Sequence, residues 1–288
     1  MKKDTSYIDK LIEQIEDIEP IVDEMLDNSS IYFHDPNASN NGYYILGAEV
    51  NHWEKRDEKN QIKAKDKYLK FYQNFELLLD KANPQTLKNI KKSNIQILNL
   101  IQQIKAPSSI EGGKKRFRNE TTILKNYLNL FVEQNKRTII VPDTNSLIQF
   151  PEPSTYRAIS ISNDFDFVVL PTVLSELDKL KITHRNEDFR KKVISVIKRL
   201  KGYRKQGDVL EGVTVDKTIT VKMIATEPNF NKTLSWLDST NNDDRIIANA
   251  LELQISRPSD NVIFVSSDIN FQNKAQLANI TVFDTDDL

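Results

Sequence analysis

The chain has 288 residues, with 40 Lys and Arg against 41 Asp and Glu, and 39% of its residues are hydrophobic. This composition is that of a globular protein, and it excludes collagen, a continuous coiled coil and wholesale disorder. The absence of cysteine excludes disulfide scaffolds, thiolate zinc sites and cysteine nucleophiles. Because the net charge is only −1, binding of nucleic acid would have to use a local basic surface.

The first part of the chain shows helical periodicity. Helices are predicted over 8–26, about 47–80, about 85–105 and 121–134, which gives an all-helical domain of unknown role over residues 1–135. Tyr68, Tyr72 and Phe75 share a helical spacing that is typical of core residues. The segment from Gly112 to Arg118 is typical of a linker between domains, and the alternative is a flexible basic segment that binds unpaired bases.

From residue 136 onward, short apolar runs alternate with helical patterns. The runs are 138–141, 167–170, 262–265 and 280–283, and a small hairpin is predicted over 213–221. Continuous apolar strands are typical of a parallel sheet that is covered on both faces. The sequence therefore predicts an α/β domain over residues 136–288.

Acidic residues occur where the predicted strands and helices meet. Asp143 and Asp268 follow strands directly, Glu176 lies in the helix that begins at Pro171, and Asp243 and Asp244 begin a later helix. Taken singly, each has a simpler interpretation as a helix cap, a turn residue or a solvated helix residue. Periodicity does not choose between Asp243 and Asp244.

Together these acids favour a metal site. In a parallel α/β sheet, ligands bind beyond the carboxyl ends of the strands. Carboxylates that converge there would repel one another and raise each other's pKa unless a cation were bound. Oxygen ligands suit Mg²⁺ or Mn²⁺, and such a site is typical of enzymes that hydrolyse phosphodiesters.

Four motifs in this order resemble the PIN domain family of nucleases. They are 140–147 (IVPDTNSL), 170–180 (LPTVLSELDKL), 244–248 (DRIIA) and 265–270 (VSSDIN). The resemblance implies a three-layer fold with a central parallel sheet and a preference for RNA. It also implies catalytic metal ligands, which would be Asp143, Glu176, Asp244 and Asp268, with Asn145 and Asp243 as accessory residues. Asp244 is preferred over Asp243 because the family pattern has a small residue, here Ala248, four positions later.

A basic stretch follows the helix that carries Glu176. It contains the candidate nucleic-acid-binding residues Arg185, Arg190, Lys191, Lys192 and Lys198. They could track phosphates beside the metal site, and the alternative is a solvated helix face.

We therefore expect an endoribonuclease that depends on Mg²⁺ or Mn²⁺ and cleaves single-stranded or structured RNA. The alternatives are a DNA or structure-specific nuclease and an inactive PIN-fold module that binds RNA or protein. Because all four acidic positions are filled, we favour an enzyme. A homo-oligomer, or a regulatory protein that acts on the helical half, stays open. No run approaches the ~20 apolar residues that span a bilayer, so we expect a cytoplasmic protein without membrane association.

Overall fold

The computed structural model describes residues 5–35, 51–133, 136–160 and 162–288. Contacts divide this part of the chain into two compact units. One unit is Leu11–Phe131, and the other combines the residues up to Lys10 with Val132–Leu288. None of the described helices is long and apolar enough to cross a membrane.

The N-terminal half is mainly helical. Its elements are α1 (Tyr7–Asp27), β1 (Ser30–Phe33), β2 (Asn51–Glu54), α2 (Glu58–Glu76), α3 (Pro84–Ile101) and α4 (Ile110–Asn129). Tyr68 and Phe75 are fully buried, as their spacing predicts, whereas Tyr72 is only half-buried. The Phe75 ring meets the Tyr127 ring edge-to-face at 5.9 Å between centroids. These aromatic side chains therefore form the core of the helical unit and are not available as a stacking surface for bases.

A short hairpin interrupts the helices. Strands β1 and β2 pair antiparallel, with Ser30 opposite Glu54 and Phe33 opposite Asn51. The predicted helix over about 47–80 is wrong at its start, because α2 begins only after Asp57, whose side chain accepts a hydrogen bond from the Asn60 amide. Residues 47–50 of that prediction lie outside the described part of the chain.

The segment around Gly112 and Gly113 is helical, so its prediction as a linker is wrong. Ser109 caps the N-terminus of α4 by accepting a hydrogen bond from the Gly112 amide at 3.0 Å. Gly113 is buried, and a Cβ atom at that position would lie 3.2 Å from the Pro107 ring. These two glycines therefore serve a capped helix start and a close packing contact, and not chain flexibility.

The C-terminal half is an α/β domain. Its elements are β3 (Thr138–Pro142), α5 (Thr144–Gln149), β4 (Phe165–Val169), α6 (Pro171–Thr183), α7 (Glu187–Gln206), β5 (Val213–Val215), β6 (Ile219–Met223), α8 (Asn242–Ser256), β7 (Asn261–Val265), α9 (Ile269–Leu277) and β8 (Thr281–Phe283). The strand order is β5-β6-β4-β3-β7-β8, and every neighbouring pair is parallel except β5 with β6. All residues of β3, β4 and β7 are buried. The expected fold class, a helical region followed by an α/β domain with a central parallel sheet, is confirmed.

The chain order places a topological switch at β3. From β3 the chain moves to β4 and β6 on one side, and later to β7 and β8 on the other. Right-handed crossovers then put the connecting helices on opposite faces of the sheet. The carboxyl ends of β3 and β7 lie side by side, since Pro142 is opposite Val265. Ligands of doubly wound sheets bind at such a position.

A buried charge that the sequence did not indicate lies near the amino ends of the parallel strands. Asp166, the second residue of β4, is fully buried. Its Oδ2 atom lies 2.9 Å from Lys222 Nζ and 3.2 Å from an Arg257 guanidinium nitrogen, and its Oδ1 atom lies 3.3 Å from an Arg137 nitrogen. Three cationic groups therefore compensate one buried carboxylate.

We predict that Asp166→Asn lowers the free energy of unfolding by about 1 to 3 kcal/mol, because it removes the buried carboxylate charge that three partly exposed cationic groups share. Urea unfolding followed by circular dichroism measures this change. The matched control is Asp164→Asn, which removes an exposed carboxylate that also pairs with Arg137. That control should cost less than about 1 kcal/mol. Equal losses in the two variants would contradict the assignment.

Candidate active site

Asp143 occupies the junction between β3 and α5. The residue is buried, and its Oδ1 atom caps α5 by accepting a hydrogen bond from the Ser146 amide at 2.6 Å. Its Oδ2 atom accepts from the Ser266 hydroxyl at 2.6 Å. Asp143 is therefore a helix cap, as its simpler interpretation proposed, and its carboxylate is also fixed in orientation by two donors at the carboxyl end of the sheet.

Glu176 points toward the other site helices and not into solvent. It is half-buried on α6, where its Oε1 atom accepts from the side-chain amide Nδ2 of Asn242 at 2.7 Å and its Oε2 atom accepts from the Thr144 hydroxyl. Thr144 follows Asp143 directly, and Asn242 is the first residue of α8. Glu176 thus links the starts of α5 and α8. Asp178, two residues further along α6, is exposed and pairs with Lys181.

The start of α8 is capped by Asn241 and not by either aspartate. The Asn241 side chain accepts from the amides of Asp243 at 2.9 Å and Asp244 at 3.3 Å. Both aspartates therefore lie in the first helical turn, where the helix dipole favours negative charge. The capping interpretation of Asp243 and Asp244 is wrong, and their carboxylates are available for other contacts.

The two carboxylates differ in their partners. The buried Asp244 carboxylate lies 2.6 Å from Lys274 Nζ through Oδ1 and accepts from the Asp238 amide at 3.0 Å through Oδ2. The half-buried Asp243 carboxylate has no hydrogen-bond donor within the described part of the chain. Asp244 is thus held by the protein, whereas Asp243 presents a carboxylate without a donor.

Asp268 closes the group at the end of β7. It is exposed, and its Oδ1 atom caps α9 by accepting from the Phe271 amide at 3.0 Å. Its own amide donates to the Ser266 hydroxyl oxygen at 3.2 Å, and that hydroxyl donates to Asp143. Ser266 therefore connects the two acids that follow the central strands.

The acids act on one another electrostatically. Burial raises the pKa of Asp243, and the charges of Asp268, Glu176 and Asp244 raise it further, while Lys274 partly offsets them. This mutual influence requires the carboxylates to be near one another. Ser266 contacts both Asp268 and Asp143 and so extends this group to Asp143. We call Asp143, Glu176, Asp243, Asp244 and Asp268 the acid cluster.

Sequence reasoning missed three members of this site. Thr144 and Ser266 carry the hydroxyl groups that bond to Glu176 and Asp143, and Lys274 carries the ammonium group beside Asp244. The position of Thr144 and Ser266 directly after strands was a usable signal. Nothing in the pattern of α9 indicates that Lys274 reaches across to α8.

The remaining predicted residues lie outside the acid cluster. Asn145 is exposed and makes no hydrogen bond to Asp143, whose donors are Ser146 and Ser266. Lys191 pairs with Glu187 and Asp188 of its own helix, which is the behaviour of a solvated helix face. Lys192 lines a groove together with Asn145. Arg185 and Lys198 are exposed, and Arg190 is half-buried.

The donor set of the acid cluster fits a hard divalent cation in its chemistry. All the candidate ligands are carboxylates, and burial together with the neighbouring acids raises the pKa of Asp243. Within the described ranges, however, no three His, Asp or Glu side chains are already grouped closely enough to hold one ion. The carboxylate oxygens of Asp143, Glu176 and Asp244 instead contact donors from the protein itself.

A comparison with known protein families identifies the C-terminal half of the chain. A family model described as PIN domain matches residues 140–286, which is just over half of the chain. The chain belongs to the PIN domain family. PIN domains are generally nucleases, they generally use divalent metal ions, and the match indicates binding of nucleic acid. No curated protein matches the chain.

We predict that Asp243→Asn stabilises the metal-free PIN domain at neutral pH. The pKa of Asp243 is higher in the folded chain than its ordinary value of 3.8, so folding takes up a proton and the stability falls as the pH rises above 3.8. The variant has no carboxylate at this position, so its stability does not fall in this way as the pH rises. Thermal unfolding in EDTA should show a higher Tm for the variant at pH 7, with a smaller difference at pH 5. The control Asp178→Asn, in an exposed ion pair, should change little at either pH.

The opposite change is expected for Lys274→Met. Without the ammonium group, the buried Asp244 carboxylate loses its cation, and we predict a loss of about 1 to 3 kcal/mol in EDTA. Added Mn²⁺ should raise the Tm of this variant more than that of the wild type, because the ion replaces the missing positive charge. The control is Lys181→Met, which breaks an exposed pair. An unchanged Tm in both conditions would contradict the role given to Lys274.

Proposed function

We propose that this protein is a divalent-metal-dependent endoribonuclease whose activity resides in residues 136–288. The observation that carries the proposal is the convergence of the acid cluster at the carboxyl ends of β3 and β7 in a member of the PIN family. RNA is proposed as substrate because the resemblance to the PIN family implies RNA as the commoner substrate, and DNA is the alternative.

Asp143, Glu176, Asp244 and Asp268 would hold Mg²⁺ or Mn²⁺, and Asp243 is the accessory residue with a carboxylate that lacks a donor. When bound there, such an ion would lower the pKa of a water molecule and neutralise charge on the scissile phosphate. Ser266 and Thr144 orient Asp143 and Glu176 through their hydroxyl groups. Lys274 offsets the charge of Asp244 and so keeps the acids together.

The surroundings of the cluster also support binding of a polyanion. Arg185, Lys192 and Lys198 are exposed on or just before α7, which follows the helix that carries Glu176. Exposed ammonium and guanidinium groups favour phosphate by releasing its counterions, without regard to base sequence. We propose these residues as the phosphate-tracking surface of the enzyme.

The decisive test compares wild type with Asp143→Asn on labelled single-stranded RNA and single-stranded DNA, in Mg²⁺, in Mn²⁺ and in EDTA. We predict cleavage of RNA by the wild type only with metal, and a rate at least about 100-fold lower for the variant, because loss of an outer-shell partner alone costs 10- to 100-fold. The amide oxygen of Asn can still cap α5, so the fold should persist, and circular dichroism checks this.

The matched control is Asp178→Asn, which changes an exposed acid of α6 and should retain the wild-type rate within about threefold. Full metal-dependent cleavage by Asp143→Asn would remove the acid cluster from the mechanism. Preferred cleavage of DNA would support the alternative nuclease. Binding of RNA without any cleavage would support an inactive PIN-fold module.

A further inference from the structure

An open groove lies between α5 and α7, beside the acid cluster. Its floor is apolar and is formed by Ile148, Pro151, Phe189 and Val196. Ile148 and Val196 are buried, whereas Phe189 is half-buried and its ring stands 4.1 Å from the His184 ring between centroids. The groove therefore combines an aliphatic base with a half-buried aromatic ring that also packs against His184, and its volume is about 610 Å³.

Polar side chains without partners surround this floor. Asn145 and Gln149 are exposed, and their amide groups make no hydrogen bond to any residue that the structure describes. Lys192 likewise has no acidic partner among those residues, whereas Lys191 and Arg199 on the same helix are paired with acids. Two amides and one ammonium group are thus available to a ligand.

The groove is next to the site of the proposed chemistry. Asn145 lies two residues after Asp143, in the first turn of α5, and also lines the groove. A ligand in the groove therefore has its polar edge close to the end of β3. This adjacency suits a nucleotide that neighbours the one whose phosphate reaches the acid cluster.

We propose that this groove binds one unstacked nucleobase of a single-stranded nucleic acid, an inference that rests on the proposed function. An aromatic ring on an apolar floor accepts the face of any base. Side-chain amides hydrogen-bond with base edges, and an unpaired ammonium group attracts the adjoining phosphate. A base in an intact duplex is stacked and paired, and therefore cannot enter. The groove thus selects single strands.

The test measures binding by full-length wild type, in EDTA so that no cleavage occurs. Two fluorescent probes of equal length are compared by anisotropy: a single-stranded RNA 12-mer and a 12-mer of abasic ribose phosphate. They carry the same backbone charge, so their difference isolates the bases. We predict that the wild type binds the RNA about 5- to 150-fold more tightly than the abasic probe, the range expected for one stacked base.

Two variants assign this preference to the groove. Phe189→Leu removes the aromatic ring, and Ser195→Leu fills the groove from its exposed rim without offering a stacking surface. Each should lower the preference for RNA to about threefold or less and leave the affinity for the abasic probe within twofold. Lys198→Met is the contrast, because loss of a phosphate contact should weaken both probes equally.

The outcomes separate this proposal from the nuclease proposal. A preference that is absent in the wild type, that persists in both groove variants, or that extends equally to a duplex of the same sequence overturns the nucleobase site. Binding of neither probe overturns it as well. Cleavage of the same RNA in Mn²⁺ is assayed in parallel, so a groove-dependent preference without cleavage refutes only the nuclease. A DNA 12-mer shows whether the groove also accepts deoxyribonucleotides.

Discussion

Strand β3 pairs with β7 in parallel along its whole length, from Thr138 to Pro142. This pairing joins two segments that are more than a hundred residues apart in the chain, and it brings Asp143 and Ser266 within hydrogen-bond distance. Since all residues of both strands are buried, a shift in register would be costly. The positions of Asp143, Ser266 and Asp268 all follow from this ladder, and the helices that carry the other acids pack around it.

Gathering carboxylates at one place opposes folding, and the domain meets this cost with a donor for nearly every acid. Neutral hydroxyl and amide groups bond to Asp143 and Glu176, and an ammonium group contacts Asp244. Asp243 is the exception, and burial together with the charges of the neighbouring acids raises its pKa. In such a site the carboxylates repel one another, and a bound divalent cation would reduce that repulsion. Stability and cation binding are therefore coupled through the same few side chains.

The sequence was sufficient for the α/β half because its signals are local. Continuous apolar strands, and acids directly after them, can be recognised without knowledge of tertiary contacts. The fold class and the placement of Asp143 and Asp268 could therefore be predicted. The helical half was less accessible. Gly112 and Gly113 lie in a helix whose start Ser109 caps, and Gly113 packs closely against the Pro107 ring. Such a contact depends on packing partners that no local pattern shows.

Within the site, local sequence patterns gave the candidate residues but not their individual roles. The spacing of Asp243 and Asp244 could not show which one is held by a cation, because Lys274 belongs to a different helix. Glu176 could not be distinguished from a solvated residue, since its partners Thr144 and Asn242 come from two other helices. Long-range contacts decided these assignments, whereas local spacing only limited the candidates.

The buried Asp166 has a consequence at the far end of its strand. A carboxylate surrounded by three cations can occupy only one face of β4, so a slip of one residue would turn it away from Lys222, Arg257 and Arg137. The buried charge thereby fixes the register of β4 against the neighbouring strands β3 and β6. Because α6 begins at Pro171, two residues after β4 ends at Val169, the same register influences where Glu176 lies beyond the carboxyl end of the strand. The ion pairs of Asp166 at the amino end of β4 thus help to position the Glu176 carboxylate beyond its carboxyl end.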